Sequence, residues 1–352
     1  MSADQEIIFE QKGQLGVVTL NRPKALNALT HEMALELDSK LVEWGADSSI
    51  GAVLIKGSGE KAFCAGGDVV KLYQEGRAGG DYPRRFYHDE YICNARVKHF
   101  PKPYIAFIDG IVMGGGVGVS VHGSHRIATE RTLFAMPETG IGLFPDVGGT
   151  YFLPRCPGEI GMYLGLTGDR LKAADTIYAG ISNSYVKSAR LDELEAALAN
   201  VDFSKDPYND VDQVLSIFEG DAGDAGLPDL RLMIDRHFSN DTVEEILTNL
   251  DQEDDEWAVR VVKTLRQKSP TSLKLTLAQL RRGAKADFDE CMKLEWRMVN
   301  RIIDGVDFYE GVRALLIDKD QKPIWSPSRL EEIKDTDIEA YFAPLNKGDL
   351  TI

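Results

Sequence analysis

Residues Lys102–Thr129 read KPYIAFIDGIVMGGGVGVSVHGSHRIAT. Tyr104 to Ile108 form a wholly apolar run of strand length, and Gly114, Gly115 and Gly116 follow it at the mouth of a helical segment. Working outward, HRIATERTLFAMPE (His125–Glu138) supplies two more short strands. On the amino side, EIIFEQKGQLGVVTLNRP (Glu6–Pro23) alternates apolar and polar residues about a turn at Lys12–Gln14, which predicts two strands. Thr30 then caps a helix in which Met33, Leu35, Leu37, Leu41 and Trp44 recur at helical spacing. IGAVLIKGSG (Ile50–Gly59) is a further strand, followed by helical material from Val69 to about Phe100. Strand–strand–helix units repeated in this way predict an α/β fold with a parallel-type core.

Past Gly158 the pattern turns helical. Asp202–Glu256 is acidic and turn-rich and reads as a solvated helical subregion. Beyond it, two or three helices open at Ser269-Pro270-Thr271. We therefore expect a core over residues 1–200 and a mainly helical region over 201–352 that closes over it.

Composition narrows the function. A net charge of −16 argues against nucleic-acid or anionic-membrane partners, and any anionic substrate needs a local basic patch. A homo-oligomer is left open. No apolar run is long enough to span a membrane. Cys64, Cys93, Cys156 and Cys291 are scattered, which fits free thiols in a reducing compartment and not a metal site. The start, MSADQEIIFEQ, is acidic and reads as neither signal nor transit peptide, so the expected location is cytoplasmic.

Two features carry chemistry. FAMPETGIGLFPDVGGTYFLP (Phe134–Pro154) sets Glu138 and Asp146 among apolar residues, glycines and prolines. Burial of an unpartnered carboxylate costs several kcal/mol or shifts its pKa, so two such acids eight residues apart suggest use. The second feature is a pair of glycine loops, FCAGGD (Phe63–Asp68) and GIVMGGGVG (Gly110–Gly118). Glycine lets backbone N–H groups approach a ligand, and two converging N–H groups make an oxyanion hole for a carbonyl that gains charge. Tight helix–strand packing explains either loop alone. A dinucleotide loop does not fit, because no starting glycine gives G-x-G-x-x-G. His122 and His125 read as structural histidines, Cys64 as a packed side chain and DQEDDE (Asp251–Glu256) as acidic surface.

The combination of LNRPKALNALT, KAFCAGGD, the Lys102–Thr129 stretch and FAMPETGIGLFPDVGGTYFLPR strongly resembles the enoyl-CoA hydratase/isomerase (crotonase) superfamily. The likeness continues through LTGDRLKAADTIYAGI, SPTSLKLTLAQL and DFYEGVRALLIDKDQKPIW, which resemble its longer, thioester-hydrolysing branch. It implies a ββα spiral core with a helical carboxyl-terminal region. By resemblance, Gly67 and Gly115 supply the oxyanion N–H groups, and Arg22, Lys24, Ala25 and Leu26 line the coenzyme A site. Hydratases carry one catalytic glutamate in the helix after the glycine triplet, where this chain has Gly118, and a second at Glu138. The hydrolase branch adds Asp146, and Glu90 as a contact to the acyl end, against the plainer readings of a turn residue and a solvated helix face.

The implied activity is hydrolysis of a short branched 3-hydroxyacyl-CoA thioester, with 3-hydroxyisobutyryl-CoA favoured. Glu138 acts as general base or as nucleophile, and no cofactor is needed beyond the coenzyme A of the substrate. Enoyl-CoA hydration or isomerisation and non-catalytic acyl-CoA binding are the alternatives.

Overall fold

The computed structural model describes residues 5–352, which divide into two compact units. The first comprises residues 1–67, 92–134 and 171–227, and the second residues 68–91, 135–170 and 228–352.

Ten strands are formed: β1 (Ile7–Lys12), β2 (Leu15–Leu20), β3 (Ala52–Gly57), β4 (Ala62–Cys64), β5 (Tyr104–Ile108), β6 (Ile111–Met113), β7 (His125–Ala128), β8 (Leu133–Ala135), β9 (Leu171–Lys172) and β10 (Ser184–Tyr185). All but Ala135 lie in the first unit. A six-stranded sheet runs β1-β2-β3-β5-β7-β10, and a four-stranded sheet runs β4-β6-β8-β9. β1 and β2 are antiparallel, as the turn at Gly13 requires, while β2/β3, β3/β5, β5/β7 and β7/β10 are parallel. Consecutive strands go to different sheets: β3, β5 and β7 join the larger one, and β4, β6 and β8 join the smaller. Each sharp exchange of sheet, with a helix after it, is the ββα spiral that the sequence implied.

The exchange between β5 and β6 takes only Asp109 and Gly110, and it is possible because Gly110 has φ +89°. A Cβ there would also sit 2.6 Å from Lys61 O, so the turn excludes every other residue.

Strand alternation builds the core of this unit. Leu15, Val17, Ala52, Leu54, Ile105, Phe107 and Ile127 point to one face. They pack there against Leu194 and Leu198 of the helix Leu191–Ala199 and against Val211, Leu215 and Phe218 of the helix Pro207–Phe218. The acidic region past Asp202 is therefore solvated on one side only.

The second unit is helical. Pro270–Gly283 is capped by Ser269, and Phe288–Ile302 is capped by Asp287. Phe288, Cys291, Met292, Met298, Val299 and Ile302 form the buried stripe of the latter at three- and four-residue steps. Among the described residues, no helix is long and apolar enough to cross a membrane.

Leu54 is fully buried at the centre of the sheet's packed face. Leu54→Ala is expected to lower unfolding free energy by about 2–5 kcal/mol, read from urea melts. A loss under about 1 kcal/mol would place the core elsewhere.

Candidate active site

In the first unit, β4 ends at Cys64 and the following loop is tied down by two backbone bonds. Ala65 N–H donates to Leu26 O at 3.0 Å, and Leu29 N–H donates to Gly66 O at 2.8 Å. This loop lies against the glycine triplet. A Cβ on Gly116 would stand 2.2 Å from Cys64 O, and one on Gly66 would stand 4.0 Å from Gly115 N. Gly115 is buried and Gly67 half-buried, and no hydrogen bond from either N–H is found among the described residues. Two adjacent, uncommitted N–H donors are what an oxyanion requires. The helix expected after the triplet is a single turn, Gly115–Gly118, so individual N–H groups matter here more than a macrodipole.

The loop after β2 is a short turn over Pro23–Ala25, followed by Leu26 and Asn27 at φ +52° and +55°. Asn27 holds this shape by donating to Ser58 O and Ala62 O, both at 2.9 Å. Lys24 and Leu26 line a cleft of about 290 Å³ with Asn27, Ser58 and Lys61. Arg22 is turned away into an ion pair with Glu6 at 3.0 Å and a bond to Ala28 O at 2.7 Å, and Ala25 is exposed.

The acids are in the second unit. Glu138 opens the turn Glu138–Ile141 and is 4% exposed. Asp146 is 3% exposed and Glu90 2% exposed, which removes the solvated-face reading of Glu90. Asp146 accepts a hydrogen bond from Tyr91 Oη at 3.0 Å. Glu138 Oε2 and Glu90 Oε1 have no hydrogen-bond partner among the described residues. Burial, then the charge of Asp146, pushes Glu138 well above the usual carboxylate range, with Lys268 opposing the rise. The same causes raise Glu90, to which Glu295 adds a further like charge. Burial lifts Asp146 to about 7 against the pull of the Tyr91 hydroxyl. The cluster therefore holds protons near neutrality, as acid–base work requires.

Four further residues shape this cluster and were not singled out from sequence: Tyr91, Lys268, Gln279 and Glu295. Glu295 is fully buried and falls on the apolar stripe of Phe288–Ile302. A carboxylate at an apolar-periodic position is the signal that marks it. Of the weaker candidates, His125 is held by Ser124 Oγ at 2.8 Å and Asp212 at 3.2 Å, and Cys64 Sγ bonds Gly66 O at 3.5 Å. Among the described residues no group of three or more His, Cys, Asp or Glu has the arrangement of a metal site.

A family model described as enoyl-CoA hydratase/isomerase matches residues 15–342. The chain belongs to the enoyl-CoA hydratase/isomerase family. A relative from Danio rerio, named 3-hydroxyisobutyryl-CoA hydrolase, mitochondrial, is 47% identical over 99% of this chain and 92% of its own. A relative of the same name from Homo sapiens is 44% identical over 99% of this chain and 91% of its own. Two solved members of the family superpose with a TM-score of 0.92. One is titled a carnitinyl-CoA dehydratase from Mycobacterium thermoresistibile (40% identical, 99% of both chains). The other is titled an enoyl-CoA hydratase from Rhodobacter sphaeroides (39% identical, 99% of this chain and 100% of that one).

The mitochondrial names overturn the expected cytoplasmic location and point to mitochondria instead. Free cysteines gave no means of separating the two, because both compartments keep thiols reduced.

The raised carboxyls carry a stability consequence. The folded chain keeps a proton on Asp146 up to about pH 7, whereas an exposed aspartate loses it near 3.8. Stability is therefore present below the unfolded value and is lost as pH rises through the folded one. Asp146→Asn removes this titration. Between pH 5.5 and 8.5 it should gain about 2 kcal/mol relative to wild type in paired urea melts. A constant difference across that range would show that Asp146 titrates normally.

Proposed function

We propose that this chain hydrolyses 3-hydroxyisobutyryl-CoA to 3-hydroxyisobutyrate and free coenzyme A, a step of valine degradation. The observation that carries the choice is Gly118. It stands where hydratases of the family place their first glutamate, so the acid–base work falls to Glu138 and Asp146. The names of the curated relatives support the same activity.

The N–H groups of Gly67 and Gly115 donate to the thioester carbonyl oxygen and stabilise the charge it gains when the carbonyl carbon becomes tetrahedral. Glu138 supplies the carboxylate, either taking a proton from the attacking water or attacking the carbonyl itself to give an anhydride that water then opens. In both routes the C–S bond breaks, the sulfur leaves as thiolate and takes up a proton, and water supplies the new carboxyl oxygen. Asp146, kept partly protonated by burial, orients water or shares that proton. Glu90 meets the acyl end, where a buried carboxyl oxygen without a partner suits the 3-hydroxyl. Lys24 and Leu26 receive the nucleotide end of coenzyme A. The reaction drawn this way needs no metal or redox group.

Enoyl-CoA hydration is the second reading, favoured by the titles of the two superposed structures. The two differ in product. The chain is expected to release free thiol from 3-hydroxyisobutyryl-CoA, followed with a disulfide dye, and to add little water to crotonyl-CoA, followed by enoyl absorbance. Rapid hydration without thiol release would reverse the choice. Glu138→Gln should cut turnover by about 10²–10⁴. Glu90→Ala should hurt 3-hydroxyisobutyryl-CoA more than isobutyryl-CoA, and equal losses would remove Glu90 from the acyl contact.

A further inference from the structure

Asp146 sits in a turn that is expensive to form. Val147, the next residue, has φ +51°, a region that a β-branched side chain resists, and Gly148 follows at +87°. Such a turn persists only when its surroundings over-determine it, and here two buried side chains do so. Glu295 accepts a hydrogen bond from Gly148 N–H on one carboxylate oxygen and from Thr150 N–H on the other, both at 2.9 Å. Gln279 donates from Nε2 to Pro145 O at 2.6 Å and to Thr150 Oγ1 at 2.7 Å. Both side chains are 0% exposed. The helices Pro270–Gly283 and Phe288–Ile302 thus hold the turn on both sides of Asp146, and Tyr91 receives the Asp146 carboxylate at its far end.

We infer that Glu295 is a positioning residue for the hydrolysis proposed above, clamping the Pro145–Thr150 turn so that Asp146 is held against Tyr91. The inference rests on that reading, since Glu295 acts on the substrate only through Asp146. A carboxylate suits this task better than any neutral side chain. It has two acceptor oxygens and no donor, and it meets two backbone N–H groups that burial would otherwise leave unpaired.

Charge is the second part of its action. The titratable groups facing Glu295 are Asp146, Glu90, Glu138, Tyr91 and Cys291. Burial lifts Glu295 itself to about 8, and the Gly148 and Thr150 N–H groups pull the other way. Once ionised, it disfavours charge on Glu90 and Glu138, so it moves the pH at which Glu138 becomes a base upward.

Two substitutions separate reach from charge. Glu295→Gln keeps the shape but loses one acceptor and the charge. It is expected to lower kcat about 10–100-fold with KM within about threefold, and to shift the acid limb of the kcat profile to lower pH. Glu295→Asp keeps the charge and loses reach. It should lower kcat and leave the limb in place. In a cycle with Asp146→Asn, the Glu295→Gln loss should nearly vanish, because its effect runs through Asp146.

A folded Glu295→Gln protein with wild-type kcat and an unmoved acid limb overturns the inference. So does a loss that adds in full to that of Asp146→Asn, or a lowered melting temperature with kinetics unchanged. If Glu295→Gln does not fold, the Glu295→Asp kcat and its cycle decide in the same terms. Failure of the parent reading looks different: wild type releases no thiol from any thioester tested, and both claims fall together.

Discussion

Desolvation of charge governs the second unit. Glu90, Glu138, Asp146 and Glu295 are all nearly or wholly shut off from water. Ionising one carboxyl in such a space without a partner costs several kcal/mol, and ionising neighbours adds repulsion. The chain meets this constraint in three ways. Protons stay bound, as the raised values of all four groups indicate. Neutral donors are brought in, among them the Tyr91 hydroxyl and the N–H groups of Gly148 and Thr150. One cation, Lys268, faces Glu138 and is itself held below its ordinary value by burial. The helices around the acids are long because they must supply these partners while also excluding water.

Much of this was legible in the sequence, for reasons that differ by element. Thr30 announces its helix because its hydroxyl accepts the Met33 N–H at 3.2 Å, a local bond that needs no tertiary context. β1 and β2 follow from alternation about Gly13, and Gly110 from a turn no other residue could make. β9 and β10 were not read, because a two-residue strand has no period to detect. The segment after the glycine triplet was read as a helix but closes after one turn, consistent with glycine's poor helix propensity. Asp202–Glu256 looks solvated by composition, yet its helices bury Val211, Leu215, Phe218, Ile234, Phe238 and Ile246. Charge count alone hides a narrow apolar stripe.

The site divides in the same manner. Glu138 and Asp146 stand out because their sequence neighbours are apolar. Glu90 was ambiguous among His88, Asp89 and Asn94, although Phe86, Tyr87 and Tyr91 at helical spacing trace a buried face through it. Glu295 was harder still, since polar residues flank it in sequence and only the stripe from Phe288 to Ile302 reveals its side. Its partners, Gly148 and Thr150, are about 145 residues away along the chain. No local pattern encodes a bond of that span.

The interleaving of the two units bears on how the protein is made. The first unit draws on three stretches, the last ending at Leu227, and the second begins at Asp68 and finishes at the carboxyl terminus. A nascent chain cannot complete the larger sheet until β10 has left the ribosome, and by then two stretches of the second unit have already emerged without their helical partners. Those stretches carry Glu90, Glu138 and Asp146, which stay hydrated and ordinary acids until Pro270–Gly283 and Phe288–Ile302 arrive. Translation order therefore delays the chemistry of the acid cluster to the last third of synthesis. It also means that neither unit can be cut out as one continuous fragment, so truncation yields an open sheet or an unclamped turn and exposes apolar surface to aggregation.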